Sequence, residues 1–455
     1  MLSVPFSRIP GMISPVIPPP KAADLLALQF QLAQSERWPA QVVSEAQQVQ
    51  LSVLLTHAAQ QIPFYRERLA QTGWQPNAMI SMQQFRRLPL LQRSEAMQLG
   101  ESLRAESLPA ERGEVSSGFT SGSTGKALKF WSCEAQRTLQ MALNLRLYLW
   151  YGWDLRQSIG GIRVDRDRVA EPPDGKTFNN WGAGLAGVIP TGPYHMMSAR
   201  ADVQKQLDWL QKRRPAYLQT HPNILRELFM RAQETRQDLS WLQGVSTLGE
   251  VVSEELRDLV LAVAGQELAD VYSSQELGYL AIQCARHRHY HVQSENVLLE
   301  VLDEQGQPCA PGQTGRVVVT SLHNFAAPLI RYEIGDFAEV GEACDCGCQL
   351  PTLTRIMGRS RNMLHKPNGE TAWPHFGTAA MHRAAPIRQF QVVQTALDQI
   401  ELRLVLDEPL NDAVEKQLKA ILCESLEYPF EVSIKQVEAI ERGANGKFED
   451  FMSCL

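Results

Sequence analysis

Helix-period segments alternate with short apolar runs between residues 136 and 272, and no other feature narrows the possible folds as much. Gln136 to Trp150 spaces its apolar residues as a helix does. Ile159 to Val164 reads as a strand punctuated by Gly160 and Gly161, and Asp202 to Lys212 returns to helix. Ala216 to Gln219 is a short buried strand. A helix over Asn223 to Glu234 follows, with Pro222 at the helical position where a missing N–H forfeits no hydrogen bond. Gly244 to Leu248, a helix over Ser253 to Ala264 and Leu268 to Tyr272 complete a β-α-β unit. Strands separated by helices need crossovers, which predicts the mainly parallel or mixed sheet of an α/β fold.

The flanks differ from this centre. Ala22 to about Arg112 is mostly helical in period, and the proline-rich start, Met1 to Lys21, reads as an extended arm. After residue 293 the pattern becomes antiparallel, with strands at Val297 to Leu302 and Arg316 to Thr320 in a barrel-like portion. Beyond Gly358 a smaller unit is expected: strands at Phe390 to Val393, Gln399 to Leu406 and Phe430 to Gln436, a helix at Asn411 to Leu426, and an exposed tail.

With 455 residues, 44% hydrophobic and 21% charged, the chain has material for two or three ordinary domains. A formal net charge of -6 argues against a nucleic-acid-binding protein. Prolines break any signal-like apolar core near the start, and no apolar run is long enough to span a bilayer, so a cytoplasmic protein is expected.

Ser116-Ser117-Gly118-Phe119-Thr120-Ser121-Gly122-Ser123-Thr124-Gly125-Lys126 sets small hydroxyls and glycines beside one lysine. Glycine lets backbone N–H groups approach a phosphate chain, hydroxyls add donors, and the lysine adds charge, so the run is suited to a nucleotide. It is not a Walker A loop, because Thr120 stands at the first glycine position and Ala127 follows the lysine. Asp270-Val271-Tyr272-Ser273-Ser274-Gln275-Glu276 ends a strand in polar residues, where open α/β sheets bind ligands; Tyr272 could stack on a base and Glu276 hold magnesium. Leu329 to Asp336 places a carboxylate after a glycine turn, and two carboxylate oxygens match a ribose diol.

Taken in order, Thr120 to Lys126, Tyr272 with Glu276, Arg331 to Asp336, Gly358-Arg359-Ser360 and Gly446-Lys447 resemble the adenylate-forming superfamily. Leu88-Pro89-Leu90-Leu91 and the paired Cys344 and Cys346 resemble its phenylacetate-coenzyme A ligase branch. The resemblance implies a large α/β domain over residues 1–357, with a barrel-like β subdomain, and a small mobile α+β lid over 358–455, hinged near 358–361. It implies an ATP- and magnesium-dependent ligase that converts a carboxylic acid to an acyl-AMP and then to a coenzyme A thioester. Lys447, Glu276 and Thr124 are the implied catalytic residues. Thr120, Ser121, Gly122, Ser123, Thr124, Gly125, Lys126, Gly249, Glu250, Tyr272, Asp336 and Arg359 are the implied ATP ligands, and a homodimer is also implied.

Trp150, Tyr151, His221, Leu248 and Gly249, with Pro222, are the candidates for an acid pocket, and an aromatic pocket would suit an aryl or arylacetic acid. Cys284 and His291 before the antiparallel strands, and Cys344 and Cys346 after them, supply ligands for a structural zinc; Cys348, His287 and His289 compete. Arg361-Asn362 departs from the superfamily pattern, in which an acidic residue often follows Gly-Arg-Ser. A carrier-protein thiol or an amine could replace coenzyme A as acceptor. A nucleotide- and zinc-binding protein without turnover is the reading from another class.

Overall fold

A computed structural model describes residues 5–120, 127–165, 167–182, 184–359, 362–374, 376–406, 408–440 and 450–455, with the backbone alone at 379. Among these residues the central feature is a 13-stranded mixed sheet. Five strands, Tyr194–Ser198, Ile159–Arg163, Tyr217–Thr220, Gly244–Leu248 and Leu268–Ser274, lie side by side in parallel. Their carboxyl ends therefore share one edge. Beyond Leu268–Ser274 the sheet turns antiparallel through Gly278–Gln283, Tyr290–Val292, Thr352–Arg359, Tyr332–Val340, Thr314–Ser321 and Val297–Leu302. The barrel-like portion is thus hydrogen-bonded to the parallel half.

Local chemistry sets the crossover helices. Asp202 accepts from the N–H of Gln204 to cap Val203–Arg213, and Ser253 caps Glu254–Ala264, whose first turn is acidic and which stops at the left-handed Gly265. Pro222 opens Pro222–Glu234, and Ile224, Leu225, Leu228, Phe229 and Ala232 form its buried stripe. That stripe packs with Leu207, Leu210, Leu218 and Val260 on one face of the sheet. The helix Glu134–Trp150 packs on the other face against Ile159, Tyr217, Val271 and Ile282.

A second, four-stranded sheet has its own core, drawn from residues 364 to 451, and the helix Asp412–Ser425 packs on it. The sequence predicts an exposed tail here, but Phe451–Ser453 forms a strand that pairs in parallel with Ile387–Ala396, and Phe451 is buried. Three residues are too few to display a period. The proline-rich arm is not extended either, since the N–H of Arg8 reaches the carbonyl of Ile17 at 2.8 Å and closes a loop.

Candidate active site

The hydroxyl-rich stretch is the connection of a hairpin. Val115–Phe119 and Lys129–Cys133 pair antiparallel. Above them the N–H of Thr120 donates to the carbonyl of Leu128, while the N–H of Leu128 donates to Oγ1 of Thr120, both at 2.9 Å. Ser121, Gly122, Ser123, Thr124, Gly125 and Lys126 lie outside the described residues, as does Lys447. The buried Thr120 also accepts from Nη2 of Arg93 at 2.8 Å. From its other nitrogen Arg93 reaches Oε1 of Glu276 at 3.2 Å and the hydroxyl of Tyr332 at 3.0 Å, and that hydroxyl donates to the same carboxylate oxygen at 3.3 Å. Glu276 is only 5% exposed, so the guanidinium neutralises a carboxylate that water scarcely reaches. Burial, and then the charge of Glu276, keeps the Tyr332 phenol protonated well above its ordinary range.

Tyr272, Asp336 and Arg359 form a second group. The hydroxyl of Tyr272 donates to Oδ2 of Asp336 at 2.8 Å, and Nε of Arg359 stands 3.7 Å from Oδ1. Burial first, and the adjacent Asp336 second, raise the Tyr272 pKa far above the phenol range, so it remains a donor. The glycine before Asp336 makes no turn: Gly335, at φ 89°, lies inside the strand Tyr332–Val340. Pairing of Asp336 with Arg359 across the ladder explains why the chain stays in the sheet there.

His221, Leu248, Gly249 and Glu250 meet where two parallel strands end. Nδ1 of His221 lies 3.0 Å from the carbonyl of Leu248, and Oε2 of Glu250 accepts from the N–H of Asn223 at 3.1 Å, in the first turn of Pro222–Glu234. Gly249 has φ 86°, which only glycine adopts at no cost. Trp150 and Tyr151 are not part of this group. Early in their helix, Gln140 meets the N–H of Tyr279, but ten residues later the helix has risen about 15 Å toward the opposite edge. There Tyr151 donates to the carbonyl of Gln283, and Trp150 lies edge-on to His291.

The cysteine cluster occupies that opposite edge. The strand Gly278–Gln283 begins beside the edge where the parallel strands end and delivers Cys284 about 20 Å away. Cys284, His289, His291 and Cys344 present ligand atoms within 4.8 Å of one another. Cys346 stands beside them, its sulfur 3.4 Å from Nε2 of His291. Bonds of about 2.3 Å to sulfur and about 2.0 Å to nitrogen give tetrahedral edges of roughly 3.5–3.8 Å. The observed 4.0 Å between Cys284 and Cys344, and 3.4 Å between Cys346 and His291, match that size.

Each of the sulfurs of Cys284, Cys344 and Cys346 accepts a backbone N–H at 3.4 Å, from Arg286, Cys346 and Cys348 respectively, an arrangement suited to thiolates. Nδ1 of His291 faces the carbonyl of Leu350 at 3.3 Å, which turns Nε2 inward. Burial lowers the His291 pKa to about 4, leaving a neutral imidazole able to ligate. His287 is taken up by Asp345 at the surface, and Cys348 contributes its N–H rather than its sulfur.

Sequence reasoning did not assign Arg93, although it stands two residues after the Leu88-Pro89-Leu90-Leu91 segment, and gave no role to Tyr332 within Arg331 to Asp336. Comparison with known proteins places the whole in context. Residues 372–452 match the family described as the CapK C-terminal domain. The chain is 25% identical to the phenylacetate-coenzyme A ligase of Thermus thermophilus over 398 residues, 82% of this chain and 84% of the relative. It is 24% identical to the phenylacetate-coenzyme A ligase of Pseudomonas putida over 332 residues, 68% and 69% of the two chains. Among solved structures, 2-hydroxyisobutyryl-CoA ligase in its postadenylation state, in complex with 2-HIB-AMP, superposes with a TM-score of 0.74 at 19% identity, covering 92% of this chain and 91% of that one. The chain has the fold of the adenylate-forming coenzyme A ligases and, in sequence, resembles their phenylacetate-coenzyme A ligase-like branch.

Proposed function

We propose that this protein is an ATP-dependent acid:coenzyme A ligase that activates an aryl or arylacetic acid through its acyl-AMP. One observation carries the reading: Thr120 at the root of the glycine-rich stretch, Glu276, and the trio Tyr272, Asp336 and Arg359 all converge on the edge where the parallel strands end. The likeness to coenzyme A ligases, one of them holding an acyl-AMP, supports the same conclusion.

In the first half-reaction a carboxylate oxygen attacks the α-phosphorus of ATP, the bond to the bridging oxygen breaks, and pyrophosphate leaves. In the second, the thiol sulfur bonds to the acyl carbon, its proton passes to solvent, and AMP departs. Both steps need charge neutralised more than protons moved. Asp336 is placed to accept from the ribose hydroxyls, and Tyr272 forms the wall beside it. Arg93 fixes Thr120 and Glu276 relative to each other before substrate arrives. Glu276 is the residue that would hold magnesium: Arg93 and Tyr332 engage Oε1, which leaves Oε2 without a protein donor among the described residues. Magnesium, when bound, neutralises charge on the departing pyrophosphate. Lys447 is assigned to the adenylation centre, carried there by a C-terminal lid that pivots near residues 358–361.

Cys284, His291, Cys344 and Cys346 are assigned as a closed structural zinc site, with His289, whose ligand atom lies within 4.8 Å of those of Cys284, His291 and Cys344, competing with Cys346 for the fourth position. Its distance from the nucleotide edge excludes the metal from the chemistry. A cytoplasmic homodimer is proposed as the working form, with exposed Val42, Val49 and Val53 on one face of the helix Ala40–Gln61 as the contact.

Acid-dependent ATP–pyrophosphate exchange over aryl, arylacetic, fatty and amino acids, with and without coenzyme A, tests the reading. Exchange with aryl or arylacetic acids, and thioester only when coenzyme A is present, is the expected result. Exchange without thioester, but with transfer to a holo carrier protein or an amine, would reassign the acceptor. No exchange with any acid would overturn the ligase assignment.

A further inference from the structure

A polar row crosses the sheet face that the helix Glu134–Trp150 covers. Gln219 and Ser246 are direct neighbours in register on adjacent parallel strands, and Arg163 ends the next strand, two residues beyond Gly161, which is the register partner of Gln219. The surrounding core on this face is apolar and aromatic, with Ile159, Tyr217, Ala269 and Val271. Nη2 of Arg163 donates to Oε1 of Gln219 at 2.5 Å. No described carboxylate pairs with this guanidinium, although most buried or half-buried arginines of the chain, such as Arg93, Arg146, Arg226 and Arg331, have one. The hydroxyl of Ser246, fully buried, has no hydrogen-bond partner among the described residues.

Three phenols lie near the guanidinium. Tyr148 of the covering helix, Tyr194 and Tyr279 all lie within its electrostatic reach, and the Tyr194 ring lies over Gly161, where a Cβ would strike its hydroxyl. Burial keeps all three protonated above their ordinary range, Tyr148 at about 12. They give Arg163 neutral dipoles and no counter-charge. A half-buried guanidinium and amide beside a buried hydroxyl, under aromatic walls, leave hydrogen bonds for a ligand to complete.

The row points toward the acid site. Gly249 and Leu248 end the strand that carries Ser246, and Arg163 stands two strand spacings farther along the same edge, about 10 Å away. An aromatic acid with its carboxylate beside Gly249 would direct the far end of its ring at Arg163.

We infer that Arg163, with Gln219 and Ser246, recognises an oxygen substituent at the end of an aromatic acid remote from the reacting carboxylate. This rests on the ligase reading for the position of that carboxylate, and it narrows the substrate class from aryl acids in general to ring-oxygenated ones. The shared chemistry is an acceptor for guanidinium N–H groups, supplied by a ring hydroxyl or a second carboxylate. Arg163 is thus a specificity residue that takes no part in phosphoryl transfer.

Calorimetric binding of phenylacetate, 4-hydroxyphenylacetate and 4-carboxyphenylacetate to the full chain tests this without requiring turnover. At least one oxygenated acid is expected to bind roughly tenfold or more tighter than phenylacetate. In Arg163→Met that preference should shrink to within about twofold while phenylacetate affinity is kept, and Arg163→Lys should retain part of it. Phenylacetate binding as tightly as both relatives, equal loss of all three acids in a folded Arg163→Met, or no binding of any acid to the parent chain would overturn the inference. Pyrophosphate exchange separates the two ideas. Exchange without preference for ring oxygen removes the role of Arg163 and leaves the ligase; preferential binding without exchange removes the ligase and leaves the pocket.

Discussion

Arg93 makes the densest set of contacts at the candidate site, bridging Thr120, Glu276 and Tyr332 with two nitrogens. Replacing it with alanine leaves the Glu276 carboxylate buried without its cation, at a cost of about 2–4 kcal/mol after allowance for the partial exposure of the arginine. A melting temperature lower by several degrees, and pyrophosphate exchange down by more than about tenfold, are expected for Arg93→Ala, with lysine restoring part of each. Full exchange in the alanine variant would show that the bridge is dispensable. Lys447→Ala should behave differently, because a residue that acts on the transition state lowers exchange while ATP affinity holds. Equal losses of both would assign it to ground-state binding. Arg93 escaped the sequence because its partners lie 27, 183 and 239 positions away, whereas Tyr272, Glu276 and Asp336 sit in short motifs that can be read where they stand.

Among elements, the alternation over residues 136 to 272 was legible because each run spans at least one full period, and Pro222, Ser253 and Gly265 mark helix ends by local chemistry alone. The misplaced Trp150 and Tyr151 show the limit: proximity to the glycine-rich stretch in sequence does not survive a helix that carries them toward the cysteines. For the cysteine cluster, replacing Cys344 and Cys346 together by serine should remove zinc and lower the melting temperature in parallel. Loss of metal without loss of stability would deny it a structural role. In the small unit, burial first and Arg226 second lower the His382 pKa to about 4, from an ordinary value of 6.5. A depressed folded-state value means that its contribution is complete above about pH 6.5 and fades as the pH falls toward 4. The slope of stability against pH in that window should ease by up to about one proton in His382→Phe, which preserves the ring contact with Phe390. An unchanged slope would mean that His382 does not titrate there.

For the whole molecule, the small unit touches the large one through the helix Pro222–Glu234, the same helix whose first turn lines the strand ends. Nη2 of Arg226 meets Oδ2 of Asp450 at 3.0 Å, and Gln389 donates to Oε1 of Glu227 at 3.0 Å. Arg226→Ala should loosen this docking, read as several-fold faster limited proteolysis near residues 355–365, with the large unit melting as before. An unaltered cleavage rate would show that other contacts hold the small unit in place. The second core was foreshadowed by its helix and three of its strands, but the docking was not, because no local pattern encodes a contact between surfaces 224 positions apart.

The strand Phe451–Ser453 has a practical consequence. Ile440 packs on Val405, and Phe451 is seated in the core of the small sheet, whose strand Ile387–Ala396 pairs with Phe451–Ser453. A nick, a premature stop or a bulky fusion that unseats residues 451–455 would therefore open the core of the small unit at Phe451. An affinity handle for this chain belongs at its beginning.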